Sequence, residues 1–160
     1  MSSFPFPDDR AGVVRRFDLP VGVDTPAKAR VRMYYLLRDW GTFEDRYNAL
    51  LMTSELVTNA VVHAPRGVRS RVRVLVRRRR DTLHVRVANR GSHPSIRARR
   101  PADDDEHGRG LLLVDKLASE WGMAGGGPGE TIVFFTLRAH AQATEVEADL
   151  SPAAECAAVA

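Results

Sequence analysis

Hydrophobic and polar positions along this chain repeat with two different periods. From Arg69 to Ala88 the period is two: Val72, Val74 and Val76 share one side of an extended chain, while Arg71, Arg73 and Arg77 share the other. Leu83, Val85 and Val87 repeat the pattern after a break between Arg79 and Thr82, which predicts a β-hairpin with one apolar face. Val13 to Leu19 alternates more weakly and reads as a first strand closed by Pro20. Thr131 to Arg138, rich in β-branched and aromatic residues, reads as a last one.

Helical period governs the stretches between. Asp24 or Thr25 caps a helix with Pro26 in its first turn and Val31, Tyr34, Leu37 and Trp40 along it, until Gly41 stops it. Thr42 caps a second helix, with Glu44 and Asp45 in the first turn, where the positive end of the helix dipole favours acids. Its inward stripe is Phe43, Tyr47, Leu50, Leu51, Ser54, Val57 and Val61, and Pro65 ends it. Ser92 to Gly108 is aperiodic, charged and Pro-containing; an excursion of that length is either a functional lid or local disorder. Leu111 to Trp121 reads as a helix and Gly122 to Gly129 as a glycine-rich turn. Strands gathered against a layer of helices predict a two-layer α/β sandwich spanning residues 12–138, with disordered tails at 1–11 and, Ala-rich, at 139–160.

Composition narrows the possible functions. The 160 residues are 44% hydrophobic and 28% charged, as in a soluble domain with one core. No apolar run approaches the roughly 20 residues of a membrane span and no secretory leader opens the chain, so a cytoplasmic location is expected. Cys156 is the sole cysteine, which excludes an intramolecular disulfide and a cysteine-built zinc site. The net charge of +4 hides thirteen Arg against one acid, Asp81, between residues 66 and 100. Since only Lys28 and Lys116 are lysine, a coding bias explains this richness as readily as a need for guanidinium chemistry.

Four places carry candidate chemistry. Glu55, Asn59 and His63 stand at i, i+4 and i+8 on the second helix, one polar line beside an apolar stripe. By itself this is a solvated face; within Ser54-Glu55-Leu56-Val57-Thr58-Asn59-Ala60 the polar groups sit where burial is costly without partners. Asn89-Arg90-Gly91 ends a strand and is equally ordinary turn chemistry. Gly108-Arg109-Gly110 runs straight into a helix, which either exposes N–H groups suited to a phosphate or is simply a flexible helix start. Gly129-Glu130-Thr131 leads into the final strand, where a hydroxyl can point to the same cavity.

In this order and spacing, the Glu55-to-Ala60 and Gly108-to-Val114 stretches resemble the Bergerat ATP-binding domain of histidine kinases, gyrase B and MutL. The likeness is greatest to the anti-sigma factor serine/threonine kinases of the stand-alone actinobacterial type, and it covers residues 12–138. It implies a mixed, mostly antiparallel sheet with about three helices on one face, and ATP and Mg²⁺ as ligands. On that resemblance Asn59 would hold Mg²⁺ and Glu55 would be the general base. Gly108 and Gly110 would face the phosphates with Arg109 as a charge clamp, residues 92 to 107 would form the lid, and Thr131 would be a second-layer adenine contact. Asn89 and Gly91 stand where the family reads adenine. The implied partners are a sigma factor, an anti-anti-sigma protein of the STAS type, or a second copy of the chain.

The chain departs from the family pattern at three points. Asn89 stands where an aspartate is usual; losing a charge-assisted bond costs about 1–2 kcal/mol, roughly tenfold in affinity. On charge alone, Asn89→Asp is expected to tighten ATP binding. His93 replaces a glycine, and Asp103, Asp104, Asp105 and Glu106 put negative charge in the lid. Two other readings stay open: a catalytically inactive protein-binding module of the same fold, and a nucleic-acid binder using Arg71, Arg73, Arg77 to Arg80 and Arg86, although no aromatic is interleaved there for base stacking. P-loop, zincin and hydrolase-elbow motifs are absent from the sequence.

Overall fold

A computed structural model describes residues 12–40, 45–65, 70–90 and 109–138. Its elements run β1 (Val13–Pro20), α1 (Thr25–Asp39), α2 (Arg46–Val62), β2 (Arg71–Arg79), β3 (Thr82–Arg90), α3 (Arg109–Leu117), β4 (Glu120–Gly127) and β5 (Glu130–Arg138). The five strands form one sheet in the order β1-β2-β3-β5-β4. Every neighbouring pair is antiparallel, so the sheet is wholly antiparallel rather than mixed. The expected tails at 1–11 and 139–160, and the lid at 92–107, lie outside the described residues.

The period-two pattern becomes the core. Val72, Val74, Val76, Leu83, Val85 and Val87 are buried and meet Ala29, Met33 and Leu37 of α1, Met52, Leu56 and Val57 of α2, and Val114 of α3. Burying each Val or Leu side chain contributes about 1.5–3 kcal/mol, so these two strands and their helical cover dominate the stability. Helices on one face of a sheet make the two-layer sandwich that the sequence predicts. The other face carries Arg16, Arg73 and Arg86 around Leu75, Ala88 and Ile132, over a shallow hollow of about 270 Å³.

Both long helices bury part of the expected stripe and add positions beside it: Leu37, Ser54 and Val57 are buried and Trp40, Leu50 and Val61 pack against the core, as expected. In α1 the buried positions are Thr25, Ala29, Met33 and Leu37, whereas Val31 and Tyr34 are 55% and 45% exposed. Apolar residues line two sides of this helix; the side with small Ala29 and flexible Met33 packs, leaving the phenol of Tyr34 to water. Asp24 precedes the helix without a side-chain capping bond; Thr25 instead donates to the Pro20 carbonyl at 2.6 Å, tying the turn to β1. In α2 the buried set is Ala49, Met52, Thr53, Ser54, Leu56, Val57 and Ala60, and Tyr47 is 74% exposed. This helix packs against α1, α3 and the sheet at once, so no single stripe describes it. Its buried hydroxyls are satisfied within the helix or by α1: Thr53 donates to the Ala49 carbonyl at 2.7 Å, and Ser54 donates to Leu50 and accepts from Arg30 Nε at 2.9 Å. Thr42, Phe43, Glu44 and Gly41 fall outside the described residues.

The largest correction is β4. The helix expected through Trp121 ends at Leu117, and the glycine-rich stretch expected to be a turn is an edge strand, with only Pro128 and Gly129 turning. Two of its glycines, Gly122 and Gly126, make room for side chains of β5. A Cβ on Gly122 would lie 2.9 Å from the Phe134 ring, and one on Gly126 would lie 2.9 Å from Ile132. Gly129 supplies the positive φ of +68° that the reversal into β5 needs.

Candidate functional site

Glu55 and Asn59 stand one turn apart on α2, half-buried, with His63 exposed at the C-cap one turn further on. Between them Leu56, Val57 and Ala60 anchor the helix to the core, which fixes where the polar line points. The helix ends with a last α-helical bond, from the His63 N–H to the Asn59 carbonyl at 3.1 Å, and one tightened turn, in which the Ala64 N–H bonds the Val61 carbonyl at 3.2 Å.

Asn59 and His63 open onto a cavity of about 70 Å³ between α2, α3 and the sheet. Its walls are apolar, from Leu56, Ala60, Val87, Leu111, Met123 and Val133, and its polar groups are Asn59, His63 and Asn89. Asn89 is buried, 4% exposed, at the end of β3 on the face turned to the helices. Its Nδ2 donates to the Ala60 carbonyl at 3.0 Å. Thr131 pairs with Asn89 in the β3–β5 register and is likewise buried, but it is not among the walls.

Glu55 meets α3. A Cβ placed on Gly110 would lie 2.5 Å from Glu55 Oε2 and 3.4 Å from its Cβ, so the carboxylate rests against the first turn of α3 in a gap that only glycine leaves. An acid is favoured there, because the unpaired N–H groups and the dipole of a helix start are positive. Asn59 and Asn89 thus meet at the cavity from α2 and β3, while Glu55 and Gly110 meet each other where α2 packs on α3. Gly91 and Gly108 lie outside the described residues; Arg109 opens α3, and its side chain lies outside the described residues too.

Met123 and Val133 line the cavity without any signal in the sequence reading, and His63, placed there on the polar line of the second helix but given no role, lines it too. Met123 was hidden by reading β4 as a turn; once β4 is a strand, its pairing with Val133 puts both on the helix side of the sheet. For His63 the i+8 spacing was a sufficient signal, discounted because a polar line on a helix is usually solvated.

The chemistry of these walls suits a flat, partly apolar ligand with a polar edge: six apolar side chains, and three polar groups able to meet such an edge. The 270 Å³ hollow on the opposite face lacks this mixture; Arg16 and Arg73 share Asp18 there at 3.1 and 3.3 Å, and Arg73 also reaches Glu130 at 3.3 Å. Among the described residues no helix is long and apolar enough to cross a membrane, and no group of three His, Cys, Asp or Glu side chains could hold a metal by itself.

Comparison with known proteins agrees with this geometry. No curated protein matches the chain significantly. The family model of the histidine kinase-like ATPase domain matches residues 23–137, a span that starts just before α1 and ends within β5 and so contains the whole cavity. The chain belongs to the histidine kinase-like ATPase domain family, and ATP is the ligand that membership implies.

Proposed function

We propose that the chain is an ATP-dependent regulatory protein of the anti-sigma factor kinase type, which passes the γ-phosphate of ATP to a serine or threonine hydroxyl of a protein partner. What supports this reading is the meeting of Asn59 and Asn89 at one apolar-walled cavity, with Glu55 one helical turn before Asn59 and against Gly110 in the first turn of α3. The adenine lies between Leu111, Met123 and Val133 with its edge at Asn89 and the phosphates toward α3.

Asn59 offers an amide oxygen to Mg²⁺, which readily keeps most of its waters and takes its remaining ligands from phosphate. Held there, Mg²⁺ would supply the charge neutralisation that phosphoryl transfer needs. Glu55 accepts the proton of the partner's hydroxyl while its oxygen bonds to the γ-phosphorus and the bond to ADP breaks. Gly110 keeps that carboxylate at the phosphate end of the site, and most of the catalysis is positioning of this kind.

A protein partner suits the exposed part of α1. Val31, Tyr34 and Tyr35 are all about half exposed, the two rings meet edge-on at 5.5 Å, and Arg38 lies 4.8 Å over Tyr35. Exposed aromatic clusters flanked by arginine are typical of protein interfaces. A sigma factor, a STAS-type anti-anti-sigma protein or a second copy of the chain are the partners that the kinase reading requires, in the cytoplasm. Nucleic acid is favoured less, since Arg16 and Arg73 on the basic sheet face are already paired with Asp18 and Glu130.

The test is incubation with γ-labelled ATP, Mg²⁺ and a STAS-type protein bearing an acceptor serine. Labelled partner is expected, with Glu55→Ala abolishing transfer while ATP affinity changes by less than about threefold. Equal loss of binding and transfer would make Glu55 a structural residue, and ATP binding without transfer to any acceptor would favour the inactive binding module.

A further inference from the structure

The helices cover one face of the sheet, and the other face has a small apolar centre of its own. Two rows of the register cross it: Arg16, Leu75, Arg86 and Phe134 in one, and Asp18, Arg73, Ala88 and Ile132 in the next. These positions alternate with the core residues Val74, Val85 and Val87, so their side chains point away from the helices. Leu75 therefore stands between two arginines. Ala88 and Ile132 are buried on this face although no described helix covers it, and with Leu75 they floor the hollow of about 270 Å³. Gly126 leaves one of its walls without a side chain.

The rim of the hollow is basic. Arg16, Arg73 and Arg86 line it against one acid, Glu130, and Asp18 beside them serves two arginines at once. Exposed ion pairs of this kind contribute about 1 kcal/mol or less, so the guanidinium groups exchange partners readily. A chain of carboxylates interleaved with apolar residues is the complement of such a surface. Thr144-Glu145-Val146-Glu147-Ala148-Asp149-Leu150 has that pattern, and positions 139–160 contain neither Lys nor Arg. When extended, the segment presents Val146, Ala148 and Leu150 on one side and three carboxylates on the other. Its tether is long enough. β5 ends at Arg138, and the row of Arg86 and Phe134 lies four residues back along it, about 13 Å. The six residues from 139 to 144 span up to about 20 Å.

We propose that residues 145–150 dock on the open sheet face of their own chain, with their apolar side over Leu75 and their carboxylates taken by Arg16, Arg73 and Arg86. Tethering makes weak contacts sufficient, because a short linker holds the segment at an effective concentration in the range of about 1 mM or more. A separate acidic partner or a nucleic acid meets the same arginines only at its own concentration. The docked segment thus covers the basic face of the sheet. This inference does not rest on the nucleotide reading, since the cavity of Asn59 and Asn89 lies on the helix side.

The test is nuclear magnetic resonance on the full chain carrying a nitroxide at Cys156, its sole cysteine and six positions beyond Leu150. Paramagnetic broadening of backbone amide signals should be strongest at Leu75, Arg86 and Ile132 and weak at Met33 and Leu37 of α1, behind the sheet. A triple variant, Glu145→Gln with Glu147→Gln and Asp149→Asn, alters only residues beyond β5. In it the broadening at the sheet should fall about threefold or more, and about 1 M salt, where the screening length is about 3 Å, should do the same to wild type. No broadening at the sheet, broadening spread evenly over both faces, or broadening that survives the substitutions and the salt would overturn the docking. Mixing nitroxide-bearing chain with isotope-labelled Cys156→Ala chain should leave the labelled signals sharp. Broadening at Leu75 in that mixture would overturn the intramolecular contact in favour of a second copy.

Discussion

At the scale of single residues, the contact between Glu55 and Gly110 links two segments separated by more than fifty positions in the chain. Gly110→Ala forces a methyl group into the space of the carboxylate, so either Glu55 changes rotamer or α3 shifts away from α2. The variant should lose about 1–3 kcal/mol of stability, as overpacking usually costs. In a Glu55→Ala background the same substitution should cost much less, because the obstructing group is gone. Chemical denaturation of the four proteins checks this; equal costs in both backgrounds would mean that the two residues do not touch. This contact was within reach of the sequence only as a likeness, since nothing in the spacing of Glu55 and Gly110 says that they meet. Asn89 was still harder to read. Its bond to the Ala60 carbonyl depends on where α2 ends, and helix ends are set by tertiary packing.

At the scale of elements, alternation along β2 and β3 was fully legible: Val72, Val74, Val76, Leu83, Val85 and Val87 are all core. One-sided burial fixes a strand's register, so the pattern cannot be misread by a residue without inverting every side chain. The first two helices were legible as elements and only partly in phase, because α1 has two apolar sides and α2 has partners all round. β4 was illegible because glycine lowers strand propensity, and its glycines answer to Phe134 and Ile132 on a strand later in the chain. The polar face of the sheet holds one titratable group with a perturbed pKa. His84, hydrogen-bonded to Thr136 at 2.9 Å, is held below its ordinary value of 6.5 chiefly by burial and then by the Arg77 charge, with Glu120 pulling the other way. The unfolded chain thus takes up a proton below pH 6.5 that folded His84 resists. Its contribution to stability is complete above that pH and lost as pH falls through the lower folded value. Unfolding midpoints of wild type and His84→Gln should therefore diverge less at pH 5 than at pH 7, with wild type showing the steeper fall; parallel pH profiles would contradict it.

At the scale of the whole molecule, an antiparallel sheet with its core on one side holds α2 and α3 so that their polar ends face a shared cavity. The fold class was legible because it follows from element order and patterning, and the family match over residues 23–137 agrees with it. Partner choice was not, since the exposed aromatics of α1 became visible only when the helix turned Ala29 and Met33 inward. The account stands or falls on whether the cavity takes a nucleotide. Calorimetric titration of the intact chain with ATP, with and without Mg²⁺, addresses that directly. The predicted result is saturable one-to-one binding that requires Mg²⁺ for full strength and drops about tenfold in Asn59→Ala. Absence of any binding at millimolar ATP, or binding indifferent to both Mg²⁺ and Asn59, would contradict it.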